Sequence, residues 1–333
     1  MPVEFRSSTS SNRRIWLTWE KQRRNGSMSR AVDADLYELI SDRNRIIRYL
    51  ELIFRTWTIL HRKRPKVVFA QNPSIVLSTL TVLFKEIYSF KLIIDEHNAG
   101  LFPAEGQFSL LNWLARWIAR KADLILVTNE SLSSLTTEWG ANPFVMPDPL
   151  PDLGGMKVAD SPAINCNPIN ILCICKWASD EPVEKIIEAA SYLSKTTHTI
   201  QFTGKPPKEI RDGPLPGNIK LLGFISDHEY FGVLTKCDAV IVLTNRDDCL
   251  NCGAYEAVSA EKPGIISKSK ALINYFDQGF LYVDNTVEDI LSALKALREN
   301  KDELKSGIIQ LKNKLKILDY ENIERLNIKI DRL

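Results

Sequence analysis

The chain has 333 residues, enough for about two domains, with 44% hydrophobic and 25% charged residues. That composition excludes an intrinsically disordered protein. A formal charge of +2, from 43 basic against 41 acidic residues, excludes a general nucleic-acid binder, which carries a strong basic excess.

The charge is unevenly spread. Residues 1–148 hold 20 Lys/Arg and 15 Asp/Glu, whereas residues 149–333 hold 23 and 26. A basic first half favours an anionic partner there, such as phospholipid headgroups or a pyrophosphate-linked acceptor. The polar, Ser-rich start, Met1 to Asn12, has no apolar signal-peptide core and reads as a frayed end. The longest apolar stretch, Ile75–Phe84, is too short to span a bilayer. The six cysteines at 166, 173, 175, 237, 249 and 252 lack zinc-ligand spacing. Several sit in apolar runs, as in Ile171–Cys175, and are expected to be reduced thiols in a cytoplasmic protein.

In chain order, Arg13–Trp19 predicts an opening strand and Met28–Ile40 a helix. The apolar period of Asn44–Arg62 predicts an amphipathic helix. Lys66–Ala70 is a short buried strand, Pro73–Tyr88 a helix, Phe90–Ile94 a strand, Ser109–Lys121 a helix and Leu124–Thr128 a strand. Continuous apolar strands alternating with helices indicate a parallel sheet covered on both faces.

Periodicity fails at residues 147–168, where Pro and Gly crowd together, and 149–168 is read as the domain linker. The alternation then restarts. Strands are expected at Ile169–Cys175, Thr199–Thr203, Ile219–Leu222, Ala239–Leu243 and Pro263–Ser267. Helices are expected at Pro182–Leu193, Asp227–Lys236, Gly253–Ala260, Val287–Asn300 and Asp302–Leu318. The expected architecture is α/β, with two doubly wound Rossmann-like domains facing a central cleft. Its parts are an acceptor-binding domain over 1–148, a second domain over 169–316, and a C-terminal helix, 317–333, packing back on the first. No G-x-G-x-x-G follows any strand, which disfavours a dehydrogenase.

The segment Leu243–Ser267, LTNRDDCLNCGAYEAVSAEKPGIIS, resembles the nucleotide-sugar motif of the group 1 (family 4-like) glycosyltransferases of the GT-B fold. That family carries a carboxylate, seven residues, a Glu opening a helix, and a Lys-Pro turn. Asp248 and Glu256 have this spacing, and Glu261-Lys262-Pro263 supplies the turn. Two departures stand out: Asp248 replaces the usual Glu, and only Gly253 survives of the family's Gly-aromatic-Gly loop. Ile171–Ala190, Gln201–Pro206 and Asn218–Phe224 are similar to successive parts of the same family's second domain. Ile93–Gly100, IIDEHNAG, is similar to a loop of the dolichol-linked β-mannosyltransferases.

The resemblance implies transfer of a sugar, a hexose, from a nucleotide-sugar to an acceptor hydroxyl. Cell-surface polysaccharide or lipid-linked glycan synthesis would be the setting. UDP or GDP is the expected nucleotide, with no separate cofactor and no metal. Glu256 would grip the ribose diol, and Asp248 would stand near the sugar. Backbone amides of Leu250, Asn251, Cys252 and Gly253 would hold the diphosphate at a helix N-terminus. Lys176 and Lys205 would meet the leaving charge, although Asp180-Glu181-Pro182 stands where the family's second cation belongs. Phe224 and Ile225 would flank the base.

In the first half, His97, Asp95 and Glu96 follow a strand and are candidate proton acceptors. Glu20, Lys21, Arg24, Asn72 and Glu130 are acceptor-side candidates, with Lys21, Arg23 and Arg24 read as a solvated basic loop. The acceptor would be a glycan or a lipid-linked glycan, with the first domain at the cytoplasmic membrane face. Two other readings remain at this level: a non-hydrolysing nucleotide-sugar epimerase, and a catalytically silent GT-B subunit.

Overall fold

The computed structural model describes residues 14–72, 74–96, 98–153 and 168–333. The chain divides into two compact units. One holds the residues through Pro149 together with Tyr320–Leu333; the other is Leu150–Asp319.

In the first unit the order is β1 (Arg14–Thr18), α1 (Arg23–Ala31), β2 (Asp35–Glu38), α2 (Arg45–Lys63), β3 (Val67–Asn72), α3 (Ile75–Tyr88), β4 (Lys91–Glu96) and α4 (Asn98–Leu101). It continues with α5 (Ser109–Lys121), β5 (Leu124–Val127), α6 (Glu130–Glu138) and β6 (Pro143–Val145). The strands form one parallel sheet ordered β2-β1-β3-β4-β5-β6. Alternate side chains feed two cores. Ile15, Leu17, Val68, Ala70, Leu92 and Ile94 face one helix layer; Trp16, Phe69, Ile93, Leu124 and Leu126 face the other. This is why β3, β4 and β5 read as unbroken apolar runs.

The second unit repeats the plan. Its elements are β7 (Ile169–Cys173), α7 (Val183–Ser191), β8 (His198–Thr203), α8 (Lys208–Arg211), β9 (Ile219–Gly223), α9 (Asp227–Lys236) and β10 (Ala239–Val242). There follow α10 (Cys252–Ser259), β11 (Gly264–Ser267), α11 (Lys270–Tyr275), β12 (Phe280–Val283), α12 (Val287–Glu299) and α13 (Lys301–Asp331), whose residues from Tyr320 on belong to the first unit. Its parallel sheet is ordered β12-β11-β10-β7-β8-β9.

The structure corrects several element assignments. Residues 28–40 are not one helix. Helix α1 starts early and stops at Ala31, where Asp33 takes a left-handed φ of 51°, and β2 pairs with β1. Strands β6 and β12 and helices α4, α6, α8 and α11 add to the elements expected from the sequence. The expected helices 302–318 and 317–333 are parts of one 31-residue helix, α13. Its Ile308, Leu311 and Leu315 pack in the second unit's core. Its Leu326 and Ile330 pack in the first unit's, where Arg14 holds Asn327 and Asp331 at 2.6 Å each. Most of the expected linker, residues 154–167 with Cys166, lies outside the described residues. No described helix is long and apolar enough to cross a membrane.

Candidate functional site

In the second unit the strand order reverses between β7 and β10. The loops after these two strands therefore part at the sheet's C-terminal edge, the place where open α/β sheets bind ligands. Asp180 ties the loops together. Its backbone carbonyl accepts from Asn245 N at 2.7 Å, and its carboxylate accepts from the Thr244 hydroxyl at 3.0 Å and pairs with Arg246 at 3.2 Å. Asn285 braces the same loop, donating to Thr244 O at 2.9 Å. Glu181 accepts from the backbone N–H groups of Lys176 and Ala178 at 2.9 and 3.0 Å. Asp180 and Glu181 thus set loop geometry. Arg246 brings a cation beside Asp180 from the neighbouring loop; it stands two residues before Asp248, and no spacing in the sequence marks it.

Helix α10 begins over this switch point. A Cβ on Gly253 would meet Ile174 Cγ2 at 3.0 Å and Val242 Cγ1 at 3.1 Å, so only glycine lets the helix start approach the ends of β7 and β10 this closely. Asn251 stands at the N-cap without a side-chain capping bond, and its Oδ1 is buried with no partner among the described residues. Cys252 is exposed, Leu250 is buried, and Asp248 sits half-exposed in the loop. Glu256 is the fifth residue of α10, not its head, and is half-buried. Its carboxylate accepts a short hydrogen bond from the hydroxyl of Tyr230 on α9. Nothing in the sequence spacing pointed to Tyr230, which comes from a different helix.

Gly204, with φ +77°, ends β8 against the loop after β7. Its missing Cβ makes room for the Cys175 carbonyl and for Trp177, whose indole donates to Thr203 O at 2.8 Å. Lys176 and Lys205 on these adjacent loops are both exposed. Phe224, just past β9, is 90% exposed, so it is no core residue, and Ile225 is half-buried.

The first unit's candidates divide sharply. Asp95 and Arg24 are not free reactive groups. Arg24, on α1 and buried, donates to Asp95 at 2.8 and 3.0 Å, to Asp148, and to the carbonyls of Met146 and Pro147 at 3.1 and 3.2 Å. Burial opposes the guanidinium's charge, but Asp95 and Asp148 outweigh it and raise its pKa. Of the run expected as a solvated basic loop, Arg23 and Arg24 open α1, with Arg24 turned inward, while Lys21 precedes the helix and, like Glu20, is exposed. Nothing is described of the Arg23 side chain.

Glu96, one residue on, projects to the opposite face of the sheet. It is buried, and the Asn72 amide donates to its two oxygens at 3.0 and 2.9 Å. Gly100 closes over the pair, since a Cβ there would collide with the Asn72 carbonyl and Glu96 Oε2. Burial pushes the Glu96 carboxyl up to about 8; the Asn72 hydrogen bond opposes this and the Asp95 charge adds to it. Neither Glu96 nor Asn72 is on the surface. Asn129 caps α6, accepting from Leu132 N at 3.0 Å, and Glu130 is that helix's exposed first residue. His97 lies outside the described residues. Among the described residues, no three His, Cys, Asp or Glu stand together to hold a metal ion.

Glu96 predicts a pH dependence. Its folded pKa lies above the ordinary value of 4.5, so the stability it contributes is complete below that value. That contribution is lost as pH rises toward 8. Unfolding free energy should fall by roughly 1 kcal/mol per pH unit across this window, and Glu96→Gln should flatten the slope. Chemical denaturation of both proteins at a series of pH values measures it; equal slopes would show that Glu96 ionises as easily folded as unfolded.

No protein-family model matches the sequence, and no curated relative does. Solved structures do match. HepE of Anabaena, in complex with UDP and glucose, is 12% identical with a TM-score of 0.75, over 97% of this chain and 100% of that one. Sucrose-phosphate synthase of Thermosynechococcus elongatus is 13% identical with a TM-score of 0.70, over 89% and 82%. The α,α-trehalose 6-phosphate synthase of Burkholderia multivorans is 12% identical with a TM-score of 0.66, over 93% and 83%. At such identities the likeness concerns architecture, and with two parallel six-stranded sheets in Rossmann-like order the chain has the GT-B fold.

Proposed function

We propose that the protein is a glycosyltransferase, related to group 1 of the GT-B enzymes, that takes a hexose from a UDP-sugar and passes it to a hydroxyl of a glycan or lipid-linked glycan. The observation that carries this reading is the Glu256 carboxylate, steadied by Tyr230, one turn into a helix that starts at the sheet's switch point. A carboxylate held there can accept both hydroxyl hydrogens of a ribose diol. The first-turn amides of α10 and the positive end of its dipole suit a diphosphate. Asn251 Oδ1, which has no partner among the described residues, suits a sugar hydroxyl, with Asp248 beside it in the same loop.

Chemistry at the anomeric carbon leaves extra charge on the departing diphosphate. Lys176, Lys205 and Arg246 are the cations proposed to meet it. The exposed Phe224 ring gives the base an apolar surface, flanked by Ile225. On the acceptor side the surface residues Glu20, Lys21 and Glu130 are retained as contacts, and His97 as the proton acceptor. Asp95, Arg24 and Asn72 are given structural roles instead.

UDP is proposed as the nucleotide because the HepE structures with UDP, with UDP and glucose and with UDP-glucose share this fold across nearly the whole chain. A thermal-shift series with UDP, GDP, ADP and dTDP tests it. At about a hundred times its dissociation constant a ligand stabilises the folded state by roughly 2.7 kcal/mol. That corresponds to a rise in melting temperature of about 5 °C or more for UDP. No shift with any of the four at millimolar concentration would overturn the donor site; a shift with GDP alone would overturn the choice of base.

A further inference from the structure

One face of the first unit carries more exposed apolar surface than its own packing explains. Helices α2, α3 and α5 cover one side of the sheet, with α3 against both neighbours. Their inner sides bury Leu52, Leu60, Leu77 and Ile118. Their outer sides leave Ile46 75%, Phe54 63%, Ile87 65%, Leu110 71% and Trp113 59% exposed. On α2 the outer stripe Ile46, Leu50, Phe54 and Trp57 recurs every three to four residues, as the inner stripe does. Together the two stripes make an apolar face wider than the core-facing stripe of a surface helix. Between the helices runs a groove of about 280 Å³ whose lining includes Ile53, Val76, Leu80, Leu83 and Leu114. An apolar surface of this kind on a folded chain marks an interaction site.

Charge decides what covers it. Over Asp42–Arg64, Ile75–Tyr88 and Ser109–Lys121 there are eleven Lys/Arg and three Asp/Glu, in a chain whose whole net charge is +2. Arg48, Arg55 and Arg62 recur at heptad spacing on another flank of α2, where Arg55 donates to Ile40 O and pairs with Glu51. Two copies meeting through this face would bring like charges together. An anionic bilayer complements both features: apolar side chains enter the headgroup–acyl boundary while Lys and Arg meet lipid phosphates. Trp57 and Trp113 supply the amphipathic rings that favour that boundary. Since no described helix can span a membrane, the contact is interfacial.

We propose that the outer face of α2, α3 and α5 docks on an anionic phospholipid surface, with the groove beside Leu80 and Leu83 receiving part of an acyl chain. The inference concerns the first unit and is independent of the donor assignment.

The test is flotation of the full chain with vesicles of phosphatidylcholine alone and of phosphatidylcholine mixed with phosphatidylglycerol, with tryptophan emission followed in parallel. The protein should float only with the anionic vesicles, be released by salt, and show blue-shifted emission on binding. Phe54→Glu/Trp113→Glu should weaken binding at least about tenfold. Arg48→Glu/Arg62→Glu, which leaves the apolar surface intact, should do the same at an unchanged unfolding midpoint. Failure to float with anionic vesicles overturns the proposal, and so does binding that neither double variant weakens. Dissociation of a dimer by Phe54→Glu/Trp113→Glu without any vesicle binding would assign the face to a second copy and equally overturn it.

Discussion

Arg24→Met is expected to destabilise the first unit by roughly 3–5 kcal/mol, the range for removing one partner of a buried ion pair. The guanidinium has four separate obligations: the carboxylates of Asp95 and Asp148, and the carbonyls of Met146 and Pro147. Asp95 lies at the C-terminal end of β4, and Met146, Pro147 and Asp148 follow β6, so the side chain on α1 joins both strand ends. Methionine matches the length and leaves two carbonyls and a fully buried carboxylate short of donors. The double change Arg24→Met/Asp95→Leu should cost less than Arg24→Met alone, because it removes the stranded charge along with its partner. Denaturant unfolding followed by circular dichroism gives both values. A loss under about 1 kcal/mol for the single variant would mean that water reaches Asp95 and that the network is not a structural bond.

The fold was legible because its signals are local and strong. Short, mainly apolar runs such as Ile169–Cys173 and Leu124–Val127, bounded by polar and turn residues, are the length of strands buried on both faces, and the helices between them are periodic. The misread segments lacked such signals. Strand β2 reads DLYE, half polar, because it is an edge strand, and β6 has three residues. The 31-residue helix α13 has no continuous stripe, since it packs in two different cores along its length. At the candidate site the order Asp248, Gly253, Glu256 was readable as spacing. What spacing cannot give is the partner of each group. Arg24 and Asp95 are 71 residues apart, and their pairing turned a presumed solvated cation and a presumed base into a buried bond. Adjacent in sequence, Asp95 and Glu96 belong to opposite faces of a strand and cannot share a role.

The largest functional effect should come from Glu256→Ala. On the proposed reading its carboxylate accepts two hydroxyl hydrogens from the ribose, and hydrogen bonds to a charged group contribute about 1.5–3 kcal/mol each. Losing both should weaken UDP binding by at least about a hundredfold, measured by titration calorimetry. Glu256→Gln keeps the shape but loses the charge and one acceptor, so it should recover only part of the affinity. Tyr230→Phe separates positioning from contact. The tyrosine hydroxyl donates to Glu256, so its removal should loosen the carboxylate and cost about tenfold in affinity, less than the loss of the carboxylate itself. Because Glu256 is half-buried on the surface side of α10, its substitution should shift the melting temperature far less than Arg24→Met does. Unchanged UDP affinity in a folded Glu256→Ala protein would remove the ribose contact from the site. The carboxylate would then be a structural residue of the helix that holds Tyr230.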